Sequence, residues 1–136
     1  MIEVRLYQNN DLESVNNILR ESFNITKNSF NYNNITEIVA CLDNKVCGYL
    51  ILTKVLNPIK NRYYYLVDYV CVSSNYRRLG IGKKLMEYAT LLANKDNALY
   101  LQLTCSTFRK DAHKLYKKCG YVKRDSDIFR RELEWY

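Results

Sequence analysis

The sequence predicts a single α/β domain built on a mixed, mostly antiparallel central sheet of about seven strands flanked by helices. Three observations lead there. At 136 residues the chain fits one compact domain, and 48% hydrophobic with 26% charged residues is ordinary for a globular fold. Apolar residues alternate in some stretches and recur at helical spacing in others, in the order β-α-β-β-β-α-β-α-β-β. Finally, residues 62–104 read as strand, glycine turn, helix and strand, a unit that should close as a right-handed parallel crossover.

Ile2, Val4 and Leu6 alternate with polar residues and mark a half-buried first strand. Asn9, Asn10 and Asp11 supply helix caps. Leu12, Val15, Ile18, Leu19 and Phe23 follow at 3.6-residue spacing, so about 11–23 is an amphipathic helix. Residues 24–34 hold five Asn and little periodicity, and they read as a loop or broken helix placed to overlie a substrate site. Ile35–Leu42 and Val46–Val55 are apolar strands joined at Asp43-Asn44-Lys45, a good hairpin turn. Asn57-Pro58 opens the next connection. Arg62–Ser73 is rich in Tyr and Val and apolar on both faces, as a central strand would be.

A tight turn over Asn75–Gly82 leads into a second helix, whose Leu85, Met86, Ala89, Leu92 and Ala93 share one face. Asn94–Asn97 ends it, and Ala98–Thr104 is the next strand. A last helix, about 107–118, aligns Phe108, Ala112, Leu115, Tyr116 and Cys119, with Gly120 as its C-terminal stop. Tyr121–Arg124 and Ile128–Trp135 then close the chain as two short strands around Asp125-Ser126-Asp127. No repeat or linker interrupts the series, so 1–136 is read as one domain.

Twenty-one Lys and Arg against 14 Asp and Glu leave a net charge of +7. Such a surface attracts polyanions, whether nucleic acid, anionic membrane or a phosphate-rich small molecule, and charge alone does not choose among them. No apolar run of ~18 residues offers a membrane span. The start, Met1-Ile2-Glu3-Val4-Arg5, lacks the order of a signal peptide, so a cytoplasmic protein is expected. Five Cys, with no C-x-x-C pair, fit a reduced compartment better than a disulfide framework. His113 is the only histidine and has no neighbouring ligand pair, so no metal site is expected.

The strongest chemical feature is Arg77-Arg78-Leu79-Gly80-Ile81-Gly82-Lys83, between a buried strand and a helix. Two glycines let a ligand approach the backbone, and the free N–H groups of a helix N-terminus favour an anion. Arg77, Arg78, Lys83 and Lys84 add positive charge at the same place, making a cradle for phosphate or pyrophosphate. The Gly-Lys-Ser/Thr of a Walker loop and the third glycine of a dinucleotide fingerprint are both missing. A glycine turn dressed with solvated basic residues is the plain alternative.

The stretch Val72-Ser-Ser-Asn-Tyr-Arg-Arg-Leu-Gly-Ile-Gly-Lys-Lys-Leu resembles the acetyl-CoA-binding motif of GNAT N-acetyltransferases, a strand ending in Val before Arg/Gln-x-x-Gly-x-Gly/Ala. Arg109-Lys-Asp-Ala-His-Lys-Leu-Tyr-Lys-Lys-Cys-Gly-Tyr121 looks like the family's later helix. Its Arg-x-Asp-Ala-His-x-x-Tyr form is similar to bacterial acetyltransferases of small amines, aminoalkylphosphonate acetyltransferases among them. The element order matches the family along almost the whole chain, least well at 24–34. The resemblance implies the GNAT fold, with acetyl-CoA as co-substrate in a V-shaped opening between the long fourth strand and its parallel neighbour. Its pyrophosphate would rest on Arg77, Arg78, Leu79, Gly80, Ile81, Gly82 and Lys83, and its pantetheine on the backbone of Val70, Cys71 and Val72. Arg109 and Ala112 complete the implied cofactor set.

Four positions depart from the family pattern. Ser74 stands where Pro is common, Arg78 where Gly often sits, Arg109 where many members have Asn, and Tyr69 at a strand position that is often acidic. A catalytic base is therefore not carried over by resemblance and has to be found among the residues. Period-two counting puts Asp68 on one face with Leu66, Val70 and Val72. A carboxylate on an apolar face is costly unless partnered, so Asp68 is a base with a raised pKa, one half of an ion pair with Lys or Arg, or a cap on a neighbouring backbone. Tyr116 is the candidate acid, since a phenol can protonate a leaving thiolate; its alternative is a core aromatic. His113 reads as structural or surface, and Cys71 as a packed thiol rather than an acyl carrier.

The expected activity is N-acetylation of the primary amine of a small molecule, or of a peptide, by direct attack on the thioester. Loops 24–34, 55–62 and 125–130 would set specificity. Neither nucleic acid nor membrane is expected as a partner, and a monomer or homodimer is. Two other readings stand beside it: a basic nucleic-acid-binding module using Tyr63-Tyr64-Tyr65 as a stacking platform, and a non-catalytic acyl-CoA sensor.

Overall fold

The computed structural model describes residues 1–134. Five strands form one sheet in sequence order: β1 (Ile2–Leu6), β2 (Ile35–Leu42), β3 (Lys45–Asn57), β4 (Arg62–Val72) and β5 (Leu101–Gln102). The first three pairings are antiparallel and β4 with β5 is parallel. The crossover from β4 to β5 runs through α2 (Ile81–Lys95); α1 (Leu12–Phe23) precedes β2 and α3 (Lys110–Lys118) follows β5.

The hairpin turn is where the sequence puts it. Asp43 and Asn44 both take positive φ, 51° and 67°, which a two-residue turn matched to strand twist requires. The first helix is not capped as expected. The Asp11 carboxylate accepts from the Gln8 N–H at 2.8 Å and from both Arg5 terminal nitrogens at 2.8 and 3.0 Å. It therefore closes a 3-10 turn over Asn9–Asp11, which feeds α1. Arg5 is the main reason that this buried carboxyl lies below the usual range.

Two cores lie on opposite faces of the sheet. On one, Val15, Ile18 and Leu19 of α1 pack against Val39, Cys41, Tyr49 and Cys71. On the other, Ile81, Leu85, Met86 and Ala89 of α2 and Tyr116 of α3 cover Ile38, Leu50, Leu52, Val67 and Val70. Gly48 makes the second interface close: a Cβ there would lie 2.9 Å from Ile81 Cγ2 and 3.0 Å from Leu85 Cδ1.

Two strand expectations fail. The sheet has five strands among the described residues, because neither Tyr121–Arg124 nor Ile128 through residue 134 forms a strand. Val122, Ile128, Phe129 and Leu133 are left largely exposed, so no buried face sets a register there. Trp135, the end of the second expected strand, lies outside the described residues. The strand expected over 98–104 is only Leu101–Gln102, although Leu99 N–H already donates to Tyr63 O at 2.8 Å. Residues 24–34 form the expected loop: the Asn16 side chain exchanges two hydrogen bonds with the Lys27 backbone, the Lys27 ammonium pairs with Glu37 at 3.1 Å, and Lys54 N–H donates to Asn34 O at 2.7 Å.

Candidate active site

β4 and β5 pair at Tyr65–Leu101 and Leu66–Gln102, and beyond these residues they part. A bulge in β4 lies beside the parting. The β3–β4 register shifts between Tyr49 and Ile51, and Tyr69 takes φ 54°, a conformation that a bulky side chain holds only under strain. Period-two counting fails across it. Asp68 pairs opposite Ile51, on the α1 side of the sheet, whereas Val70 packs in the core on the α2 side. Asp68 therefore does not share a face with Val70 and Val72.

The parting opens a cleft of about 360 Å³. Phe23 from α1, Asp68, Tyr69 and Val70 from β4, Cys105 and Ser106 after β5, and Arg109 and Tyr116 line it. Phe23 meets Tyr69 edge-on with ring centroids 5.5 Å apart, and the Arg109 guanidinium lies 5.4 Å from the Phe23 centroid. The sequence reading treats Phe23 only as a helix apolar residue; its place in the cleft wall depends on where α1 ends. Asn24, left-handed at φ 56°, ends it there.

Tyr116 is only 9% exposed, and burial pushes its phenol up to about 12. The phenol is therefore protonated at neutral pH. The charge of Arg109 works the other way, favouring the phenolate that proton donation would leave. Asp68 forms no hydrogen bond or ion pair among the described residues, which removes both the ion-pair and the backbone-cap alternatives. Its side chain is exposed where it lines the cleft, and partial desolvation there raises its pKa.

That rise has a checkable sign. An acid whose folded pKa is raised destabilises the fold above that pKa and ceases to do so once protonated. Asp68→Asn should accordingly melt higher than wild type at pH 8, with the gap closing as pH falls, while turnover drops. A lower Tm at pH 8 would give Asp68 a partnered structural role instead.

The glycine turn leaves a run of backbone donors free among basic side chains. No backbone N–H from Arg77 through Lys83 is given to a carbonyl among the described residues. Arg77, Arg78, Lys83 and Lys84 are exposed around it. Gly80 is the N-cap of α2 at φ 82°, with open space where its Cβ would lie. Arg78 is also left-handed, at φ 65°, so the position suits glycine on conformational grounds. Gly82 is small for a different reason than ligand approach alone: a Cβ would lie 3.0 Å from Leu115 Cδ2, against α3.

Residues 4–121 match the model of the acetyltransferase (GNAT) family. The chain belongs to the GNAT family. It is accordingly an acetyltransferase, and acetyl-CoA is the co-substrate of this family. The chain is 24% identical over 143 residues to the N-terminal acetyltransferase B complex catalytic subunit naa20 of Schizosaccharomyces pombe, covering 100% of this chain and 77% of that protein. It is 35% identical over 94 residues to the NAA20 catalytic subunit of Arabidopsis thaliana, covering 68% of this chain and 50% of that one. Among solved structures, an aminoglycoside acetyltransferase from an uncultured soil metagenomic sample has the same fold at a TM-score of 0.84 and 19% identity. That match covers 98% of this chain and 97% of the other.

Cys71 is a packed thiol and His113 a structural residue, as expected. Cys71 is buried in the α1-side core, its thiol donating to Tyr49 O at 3.9 Å, and burial pushes it up to about 12. A protonated thiol away from the cleft is no acyl carrier. His113 Nε2 lies 2.8 Å from Ser106 O; a carbonyl can only accept, so Nε2 carries the proton and ties the loop after β5 to α3. Ala112 packs beside the α2-side core. The Tyr63-Tyr64-Tyr65 platform is already used internally: Lys54 covers the Tyr63 ring, Tyr64 stacks on Tyr100, and Tyr65 donates to Asp96 at 2.7 Å. Among the described residues no helix is long and apolar enough to cross a membrane, and no cluster of metal-binding side chains occurs.

Proposed function

We propose that this GNAT protein transfers acetyl from acetyl-CoA directly to the primary amine of a small molecule or a peptide. One observation carries the reading: an unpaired carboxylate and a buried phenol face the same cleft where β4 and β5 part. Bound acetyl-CoA supplies an activated thioester. Asp68 takes the proton of the attacking ammonium, directly or through water, and its raised pKa brings it nearer the operating pH of a base. Tyr116 Oη gives a proton to the departing sulfur. The free N–H groups of 77–83 and the charges of Arg77, Arg78 and Lys83 hold the pyrophosphate, and the unpaired edge of Val70, Cys71 and Val72 faces the pantetheine arm.

The similarity to naa20 supports a peptide amino terminus as acceptor, and the notion of a small amine rests on the Arg109–Tyr121 stretch. A thiol-release screen with acetyl-CoA separates them, using amines, polyamines, aminosugars, aminoalkylphosphonates and peptides. Release above the blank for one class identifies the acceptor; CoA binding without release across the panel would make the chain a sensor. Light scattering decides between monomer and homodimer.

The basic residues serve the cofactor in this reading. Replacing Arg77 and Lys83 by Gln should weaken CoA on the order of tenfold at ~0.15 M salt, where exposed charges still act within a Debye length. Random DNA should bind weakly at the same salt. Sub-micromolar DNA affinity there would overturn this assignment of the charge.

A further inference from the structure

The loop joining β4 to the anion cradle is tethered sparsely. Ser73 N–H donates to Cys47 O at 2.8 Å, and Tyr76 N–H donates back to Ser73 O at 2.9 Å. Beyond Tyr76 no backbone donor is used until Lys84. One side chain reaches across from the opposite layer. Glu21, on the last turns of α1, accepts from Ser74 N–H through Oε1 at 2.6 Å and from Ser74 Oγ through Oε2 at 2.8 Å. Among the described residues these are the only side-chain hydrogen bonds made to 73–83.

Ser74 is the first residue of a 3-10 turn over Ser74–Tyr76, preceded by Ser73 at φ −55° and ψ 138°. That backbone accepts proline: the first position of a helical turn has no use for its N–H, and the residue before is extended. Proline would have fixed the turn without help. A serine here surrenders that rigidity and instead gives both of its donors to one carboxylate 53 residues away. Those two bonds hold the Glu21 carboxyl below its usual range, and the charge of Arg77, in the cradle itself, favours it further. Two residues after Glu21 comes Phe23, in the wall of the cleft.

We infer that Glu21 is a positioning residue for the cofactor, holding the first turn of the cradle loop in place from α1 on the opposite layer. This rests on the reading of 77–83 as the pyrophosphate site. Losing the clasp leaves the loop to be ordered when CoA binds, so Glu21→Ala should raise the CoA Kd roughly threefold to tenfold. The kcat at saturating acetyl-CoA should stay near wild type, because neither Asp68 nor Tyr116 is touched.

The full-length protein, three variants and two measurements test this. Amide hydrogen exchange follows Ser74, and calorimetry gives the CoA Kd. Glu21→Ala should exchange faster at Ser74 and bind CoA more weakly, and Glu21→Gln should fall between it and wild type. Adding Ser74→Pro to Glu21→Ala should restore affinity, since the ring sets φ without the carboxylate; general damage to α1 would not be repaired in this way. The inference is overturned if Glu21→Ala keeps wild-type exchange and affinity, or if its lost affinity comes with lost kcat and proline restores neither. Should wild type itself fail to bind CoA, the pyrophosphate reading falls and the inferred role with it, while Ser74 exchange separately reports whether the clasp exists.

Discussion

Tyr116→Phe should lower kcat by about 10²–10⁴-fold while KM for acetyl-CoA changes little, the range typical of a positioned acid. The ring that fills the α2-side core remains, so packing is kept and only the hydroxyl leaves the cleft. That hydroxyl makes no hydrogen bond among the described residues, so no partner is orphaned by removing it. The neighbouring Tyr121 ring lies 6.1 Å away, and its own hydroxyl is buried without a partner among the described residues. Stopped turnover with unchanged CoA affinity would therefore report on proton transfer. Cys71→Ala, in the other core, should leave sequential kinetics intact. If Tyr116→Phe retains full turnover on a substrate for which chemistry limits the rate, Tyr116 is a core aromatic and water supplies the proton.

Gly48→Ala should destabilise the fold by about 1–3 kcal/mol, the usual cost of an extra methyl in a filled core. The added carbon would lie 2.9 Å from Ile81 Cγ2 and 3.0 Å from Leu85 Cδ1, and both side chains are essentially fully buried. Neither has room to swing aside, so α2 must move off β3. For a chain of this size the drop in Tm should be on the order of 5–10 °C. Function should follow stability, because Ile81 opens the helix whose free N–H groups form the cradle. Gly80→Ala is the useful contrast: its Cβ meets nothing within 4 Å, so its cost is only that of a left-handed alanine, about 1 kcal/mol. An unchanged Tm for Gly48→Ala would mean that α2 sits farther from β3 than described.

Much of the domain is legible without coordinates. β2 lies at Ile35–Leu42 as expected, the hairpin turns at Asp43 and Asn44, and the helices follow their apolar periods, except that α3 begins at Lys110 and leaves Phe108 outside it and exposed. These features are local: each depends on residues within a turn or two of each other. Legible too are the glycine turn that opens α2 among four basic residues, and the inward-facing position of Tyr116 on an amphipathic helix. Less was legible at Asp68. Its residue type on a buried strand marked it, but the face assigned to it was wrong, because one residue in a left-handed conformation at Tyr69 shifts the alternation that counting relies on.

Residues close in sequence already carry the order of elements from β1 through α3, the parallel crossover between β4 and β5, and the motif that marks the family. Those follow from periodicity, turn chemistry and a contiguous motif, all written in covalent neighbours. The tertiary structure decided what depends on residues far apart in the chain. It sets Glu21 against Ser74 across 53 positions, presses α2 on Gly48, and lets Leu115 rather than a ligand alone explain Gly82. It also leaves the apolar residues of 122–133 exposed, where alternation had read strands. A strand forms only if a neighbouring edge and a buried face are both within reach, and no pattern along one chain segment contains either.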